Sequence, residues 1–259
     1  MMKTKYGAAI LGKEQWSLDI ISEDIAVMRL GTFAIWKWKD FDQKQWFADA
    51  FQQLDSLGIE KLAIDIRGNG GGLSDPANEL LSYLISDSLK CDDLGKIYIR
   101  TTKLNPDLLP FMDLYVEGLK TGLPANMYQA AENDLYELFE PSQCTDIAPQ
   151  ENRFSGETLI FGNSSNVSAT FTLLKKANQF GFATYVGQES GGNQQGINGG
   201  QYAFFHLPYS KFEVDIPLKY FAPKSERPDA GVQPKVPIQI TQEDIAKGRD
   251  PYLNYLEKY

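Results

Sequence analysis

The chain predicts an α/β layered fold, and three observations predict it. Short apolar runs that read as strands alternate with stretches of helical spacing, first over residues 25–102 and again from residue 155. The run over 61–67 is apolar on both faces, as a buried parallel strand is, instead of alternating. Two glycine-rich turns, over 68–72 and 189–200, each follow directly on a strand.

Residues 16–21 and 25–34 read as the first strands. Over 39–57, Phe41, Trp46, Phe47, Ala50, Phe51 and Leu54 recur at helical spacing, and Gly58 closes the helix. The strand at 61–67 runs into the first glycine turn. Ser74 or Asp75 is the expected cap of the next helix, with Pro76 at its first position and an end near Ser86. Residues 96–102 form a strand. Over 103–152, Pro106, Pro110, Pro124, Pro141 and Pro149 break the rhythm into short helical patterns, read as a helical excursion or lid; a surface loop is the plainer alternative. The alternation returns with a strand at 158–162, a helix at 168–180 and a strand at 183–187. A strand pair follows over 201–208 and 212–221, then a capped helix from Thr241 and a last helix from about Pro251.

With 259 residues the chain suffices for one large domain or two small ones, and is read as a single domain, 1–259, with a lead-in over 1–22. A net charge of −9 argues against nucleic-acid partners and against docking on an anionic membrane. No run has the length of a membrane span, and the apolar stretch near the N-terminus is too short for a signal peptide. Cys91 and Cys144 lack metal-site spacing, and the single histidine, His206, excludes a polyhistidine metal centre, so neither metal nor cofactor is expected.

Chemistry concentrates at two places. Gly68, Gly70, Gly71 and Gly72 allow positive φ and leave main-chain N–H groups bare, which suits a carboxylate, a phosphate or a developing oxyanion. Such a turn can equally be only a tight connection. It is neither a Walker loop nor a dinucleotide fingerprint, because no Gly-Lys-Ser/Thr and no Gly-x-Gly-x-x-Gly is present there. The second place is Ser168, which sits after a strand and a polar loop where a helix begins. The positive end of the helix dipole favours a nucleophile there, although serine is also an ordinary helix cap.

The stretch from Asp65 through Arg67 to Gly72 closely resembles the Asp-Leu-Arg-Gly-Asn-Gly-Gly-Gly box of the tail-specific (C-terminal-processing) serine peptidases, relatives of the tricorn core. Ser168-Ala169 resembles that family's Ser-Ala nucleophile pair, with Thr170-Phe171 in place of Ala-Glu. Residues 185–193, Leu207-Pro208, 231–235 and 241–250 resemble its later boxes in unbroken order, so the likeness covers roughly 25–256. It implies a ClpP/crotonase-like superhelix of strand-strand-helix units and a peptide or protein substrate. It also implies Ser168 as nucleophile and an oxyanion hole from the N–H of Ala169 with that of Gly70 or Gly71. Family members are commonly exported, so an exported or periplasmic location is implied as well.

Several positions depart from the pattern. Asn193 stands where the processing peptidases have their basic lysine, and an amide is no base. No histidine precedes Ser168, as it does in tricorn-like members. Asp229 is the candidate for the family's acid, and Lys235 replaces the Asp of its box. His206, flanked by aromatics, reads as structural; Lys175 and Lys176 lie about two helical turns beyond Ser168. No PDZ-like insert is evident. The base is therefore expected either in a preceding segment of a longer protein or to be lost. In the second case a peptide- or small-ligand-binding domain is the alternative, and an acyl-CoA enzyme of crotonase type is a weaker third reading.

Overall fold

The computed structural model describes residues 15–90, 96–114, 117–139 and 146–258; Cys91, Cys144 and most of the expected lead-in lie outside them. The chain divides into two compact units. The first comprises Met1–Lys90, Asp146–Gly192 and Gly231–Tyr259, and the second Cys91–Thr145 with Asn193–Ala230.

The first unit is built on a six-stranded sheet. Its strands are β1 (Trp16–Ile20), β2 (Ile25–Leu30), β3 (Lys61–Asp65), β8 (Glu157–Gly162), β9 (Thr184–Gly187) and β12 (Val236–Pro237), in that spatial order. Only the β1–β2 pair is antiparallel. Apolar residues fill both faces of the central strands, as parallel strands require. Val27, Ala63, Phe161 and Val186 form one buried cluster with Tyr252 and Leu256 of α6 (Pro251–Lys258). The alternate residues Met28, Ile64 and Ile160 are buried as well.

Four further α-helices belong to this unit: α1 (Gln43–Ser56), α2 (Ser74–Ser82), α4 (Ser168–Phe180) and α5 (Gln242–Lys247). Asp42 caps α1 by accepting from the N–H groups of Lys44 and Gln45, a contact worth about 1 kcal/mol. Phe51 of α1 stacks on Tyr83 at 4.4 Å, just beyond α2. The start of α2 differs from expectation. Leu73, in extended conformation, takes the cap position without any side-chain bond, so Ser74 and Asp75 lie inside the helix and Pro76 falls third, where its missing N–H has no helical partner to lose. The expected cap on α5 (Gln242–Lys247) is present as a complete capping box between Thr241 and Asp244.

The second unit holds another six-stranded sheet, in the order β5 (Met112–Leu114), β10 (Ile197–His206), β11 (Glu213–Ala222), β4 (Lys96–Ile99), β7 (Tyr136–Leu138) and β6 (Tyr128–Ala130). The expected strand pair is the long β10–β11 hairpin. The stretch expected to be a helical excursion contains its helical pieces, at Pro106–Phe111, α3 (Glu117–Thr121) and Ala125–Met127. It also supplies β5, β6 and β7, three-residue strands too short for a period-2 pattern to reveal.

Candidate active site

The glycine turn and the start of α4 meet within the first unit. β3 carries the chain to Arg67, whose guanidinium is fixed on both sides. Nε and Nη2 donate to Asp65 at 2.8 and 2.6 Å, and Nη1 and Nη2 donate to the two carboxylate oxygens of Asp250 at 2.9 Å each. The same guanidinium lies 4.4 Å from the ring centre of Tyr252. Burial alone would lower its pKa, but the hydrogen bonds and charges of the two aspartates more than reverse this and hold it fully protonated. Asp65 and Asp250 are themselves buried. The β3 exit is thus clamped to the start of α6.

Beyond Arg67 the turn is held by side-chain amides. Asn69 is fully buried; its Nδ2 donates to Leu30 O at 2.8 Å, and its Oδ1 accepts the Gly71 N–H at 2.8 Å. Asn166, also fully buried, donates through Nδ2 to Ile66 O at 2.6 Å and Asn69 O at 3.0 Å, and accepts the Asn163 N–H at 2.7 Å. Asn163 Oδ1 accepts the Gly68 N–H at 3.2 Å. The hydroxyl of Thr170 lies between Asn69 O at 2.9 Å and Val167 O at 2.8 Å. Two loops about a hundred residues apart in sequence are locked by bonds that leave these buried amides satisfied. The second glycine turn joins the same network through the Gly191 N–H, which donates to Asn166 O at 3.0 Å.

These bonds bring Gly71 against Ser168. A β-carbon on Gly71 would stand 2.8 Å from Val167 O, 2.9 Å from Ser168 Cβ and 3.0 Å from the Ala169 nitrogen, and its φ is +98°. No side chain but hydrogen fits there. Ser168 is exposed and has φ +54°, the left-handed region that a residue with a β-carbon occupies at a cost. Its helix has Val167 at the cap position with no side-chain cap bond. The N–H groups of the first turn of α4, Ala169 among them, therefore lack a capping side chain. Gly71 already spends its N–H on Asn69, whereas Gly70 is exposed and its N–H has no hydrogen-bond partner among the described residues. A strained serine, an uncapped helix start and a bare glycine N–H are the parts from which an acyl-transfer site is made.

The remaining candidates sort by unit. Asn193, His206 and Asp229 belong to the second unit. There Asn193 Nδ2 donates to Asp229 at 2.7 Å, and His206 Nε2 lies 3.1 Å from Asp113 and 3.8 Å from Glu213. Lys235 of the first unit donates its N–H to Tyr185 O at 2.9 Å. Among the described residues no side chain hydrogen-bonds Ser168 Oγ. Lys176, farther along α4, faces α2, where Nζ reaches Asn78 Oδ1 at 3.4 Å. Among the described residues no cluster of three or more His, Cys, Asp or Glu could hold a metal ion, and no helix is long and apolar enough to cross a membrane. Reading the sequence assigned no role to the bracing residues Asn69, Asn163, Asn166, Thr170 and Asp250. For the three asparagines the only signal was the repeated Asn around the two loops, which polar loops share; Thr170 and Asp250 lay within the boxes compared above, with no bracing part assigned to them.

Comparison with known proteins places this arrangement. The fold is the ClpP/crotonase-like α/β fold. The profile of peptidase family S41 matches residues 24–238, and the chain belongs to that family. One similar solved structure is a protein from Parabacteroides merdae ATCC 43184 described as a peptidase, at 17% identity and a TM-score of 0.56, covering 96% of this chain and 65% of that one. Another is mature CPAF complexed with lactacystin, at 19% and 0.57, covering 94% and 53%. The photosystem II D1 C-terminal processing protease is more distant, at 16% and 0.44, covering 83% and 42%. No curated protein matches. The chain spans between half and two-thirds of the length of the first two of these structures.

Proposed function

We propose that this chain is a serine-type peptidase domain, residues 1–259 acting as one catalytic domain, that cleaves peptide bonds by acyl transfer. Ser168 Oγ attacks the peptide carbonyl, and the oxyanion is held by the N–H of Ala169 together with that of the Gly70–Gly71 turn. Of those two glycines, Gly70 is the donor, because the Gly71 N–H is engaged with Asn69. Gly71 serves by its lack of a β-carbon. The observation that carries this reading is the 2.9 Å approach of a Gly71 β-carbon to Ser168 Cβ, which ties the glycine turn to the serine.

The proton acceptor is a separate matter. Attack by the serine needs a base, and loss of one typically costs 10²–10⁴-fold. With Asn193 at the lysine position and no described side chain on Ser168 Oγ, the base is supplied from outside the described residues or has been lost. Asp229, bonded to Asn193, is assigned no catalytic part beyond orienting that amide. The second reading, a peptide-binding domain without hydrolysis, is favoured by the same bare hydroxyl. An export location, carried over from the family, goes with the first reading.

Incubation of the protein with casein or unfolded peptides, followed by mass spectrometry of the products, separates the two. Cleavage that vanishes in Ser168→Ala supports the peptidase. Peptide binding without cleavage, unchanged in Ser168→Ala, supports the binder.

A further inference from the structure

The direction of the Gly70 N–H is set from the far end of its own peptide. That peptide joins the Asn69 carbonyl to the Gly70 nitrogen, and it is trans, so its C=O and N–H bonds point opposite ways. Asn69 O accepts two bonds, from Asn166 Nδ2 at 3.0 Å and from the Thr170 hydroxyl at 2.9 Å. Asn69, Asn166 and Thr170 are all fully buried. A carbonyl held inside by two buried donors turns its N–H outward, and Gly70 is exposed. Its neighbour Gly71 lies against Ser168 and the Ala169 nitrogen. The two holders differ in what else they do. Asn166 also holds Ile66 O and the Asn163 N–H, so it braces two loops whatever the direction of Gly70. Beyond Asn69 O, the Thr170 hydroxyl reaches only Val167 O, three residues back along its own chain, at 2.8 Å. That contact is ordinary for a threonine in a helix. The bond to Asn69, 101 positions away, is not.

We infer that Thr170 is a positioning residue for the reaction: its hydroxyl fixes the plane of the Asn69–Gly70 peptide and so aims the Gly70 N–H as oxyanion donor. This role rests on the acyl-transfer reading, since only there does the Gly70 N–H meet an oxyanion. Being fully buried, Thr170 acts through the peptide and not on the substrate. A methyl group in place of the hydroxyl needs about 3.3 Å or more from a carbonyl oxygen, whereas the hydroxyl stands at 2.9 Å from Asn69 O. The carbonyl would tilt away, and the N–H at the other end of the rigid plane would tilt with it. A serine hydroxyl keeps the bond.

Thr170→Val and Thr170→Ser, made in the full chain, test this by two readouts; Thr170→Ala is carried alongside Thr170→Val as a loss of the hydroxyl that adds no bulk. One readout is the second-order rate of fluorophosphonate labelling at Ser168, because the phosphoryl oxygen of the probe must enter the oxyanion site. The other is the residual dipolar coupling of the Gly70 N–H in weakly aligned ¹⁵N-labelled protein, which reports the direction of that bond. Urea unfolding checks that the fold is kept. The expected result for Thr170→Val is labelling slower by about tenfold or more, a part of the roughly 10²–10³-fold lost with a whole oxyanion donor. The Gly70 coupling changes with it while those of β3 and β8 are kept, Thr170→Ala moves both readouts the same way, and Thr170→Ser regains both. A structural role alone would lower the urea midpoint without moving the Gly70 coupling, and that result overturns the inference. So does labelling at the wild-type rate in Thr170→Val, or a loss that Thr170→Ser shares. If Ser168 fails to label even in wild type, the peptidase reading falls and the coupling decides alone. A change at Gly70 in Thr170→Val that Thr170→Ser reverses then keeps Thr170 as the residue that aims this N–H, and an unmoved coupling overturns it.

Discussion

Gly71 and Ser168, almost a hundred positions apart in the chain, stand so close that a β-carbon on the first would lie 2.9 Å from Cβ of the second. The glycine turn therefore packs directly against the serine. Gly71→Ala must either push α4 away or distort a turn whose φ is +98°. We expect it to cost about 1–3 kcal/mol of stability and to abolish fluorophosphonate labelling of Ser168. Gly70→Ala is the control, since nothing lies within 4 Å of its added carbon. It should leave stability within about 1 kcal/mol of wild type.

Ser168 itself is held at φ +54°. Strain at a reactive residue predicts that removing the β-carbon stabilises the fold. Ser168→Gly is expected to be more stable than Ser168→Ala by about 1 kcal/mol, read as a higher urea midpoint at unchanged slope. If the two variants unfold together, the backbone at Ser168 is not strained.

Asp250 shares the Arg67 guanidinium with Asp65 and is buried. Truncating one carboxylate of such a group leaves a buried cation half-compensated. Asp250→Ala should lose about 3 kcal/mol or more in urea unfolding, and Ser168 labelling should fall with it, because Arg67 leads directly into Gly68. A loss under about 1 kcal/mol would mean that the clamp is incidental.

Alkaline pH tests the packing of α6 on the sheet. Tyr252, which donates its hydroxyl to Gly162 O at 3.0 Å, is pushed by burial up to about 12. An unfolded tyrosine titrates near 10. Below about pH 10 both states keep the proton, and the stabilisation is fully present. Between about 10 and 12 only the unfolded chain loses it, so stability falls as pH rises through that window. Tyr185, also raised by burial, acts in the same direction. The urea midpoint should drop between about pH 9 and pH 11, and drop less in Tyr252→Phe. An equal drop in both would exclude Tyr252 as a contributor.

Much of this was legible in the chain. β3, the glycine turn and the start of α4 carry strong local signals: an apolar run, four glycines and a serine at a helix boundary. The short strands β5, β6 and β7 were not legible, because three residues show no periodicity and their pairing is decided by neighbours distant in sequence. The cap of α2 misled because Ser74, Asp75 and Pro76 are all good starting residues, and backbone geometry at Leu73 chose among them. Of the candidate residues, Ser168, Ala169, Gly70 and Gly71 were named from the sequence, and the fold brings Gly71 against Ser168 and Ala169. That Asn69 takes up the Gly71 N–H, and that Asn166 and Thr170 brace Asn69, could not be read there, since each bond joins loops whose meeting only the fold determines.

The central claim is that Ser168 is a nucleophile. Labelling of the intact protein with a fluorophosphonate, with the modified residue located by peptide mass spectrometry, tests it most directly. The account predicts a single adduct on Ser168, absent in Ser168→Ala and in Gly71→Ala and present in Gly70→Ala. An unmodified Ser168 at reagent concentrations that label other exposed serines would contradict it, and would leave the fold as a peptide-binding one.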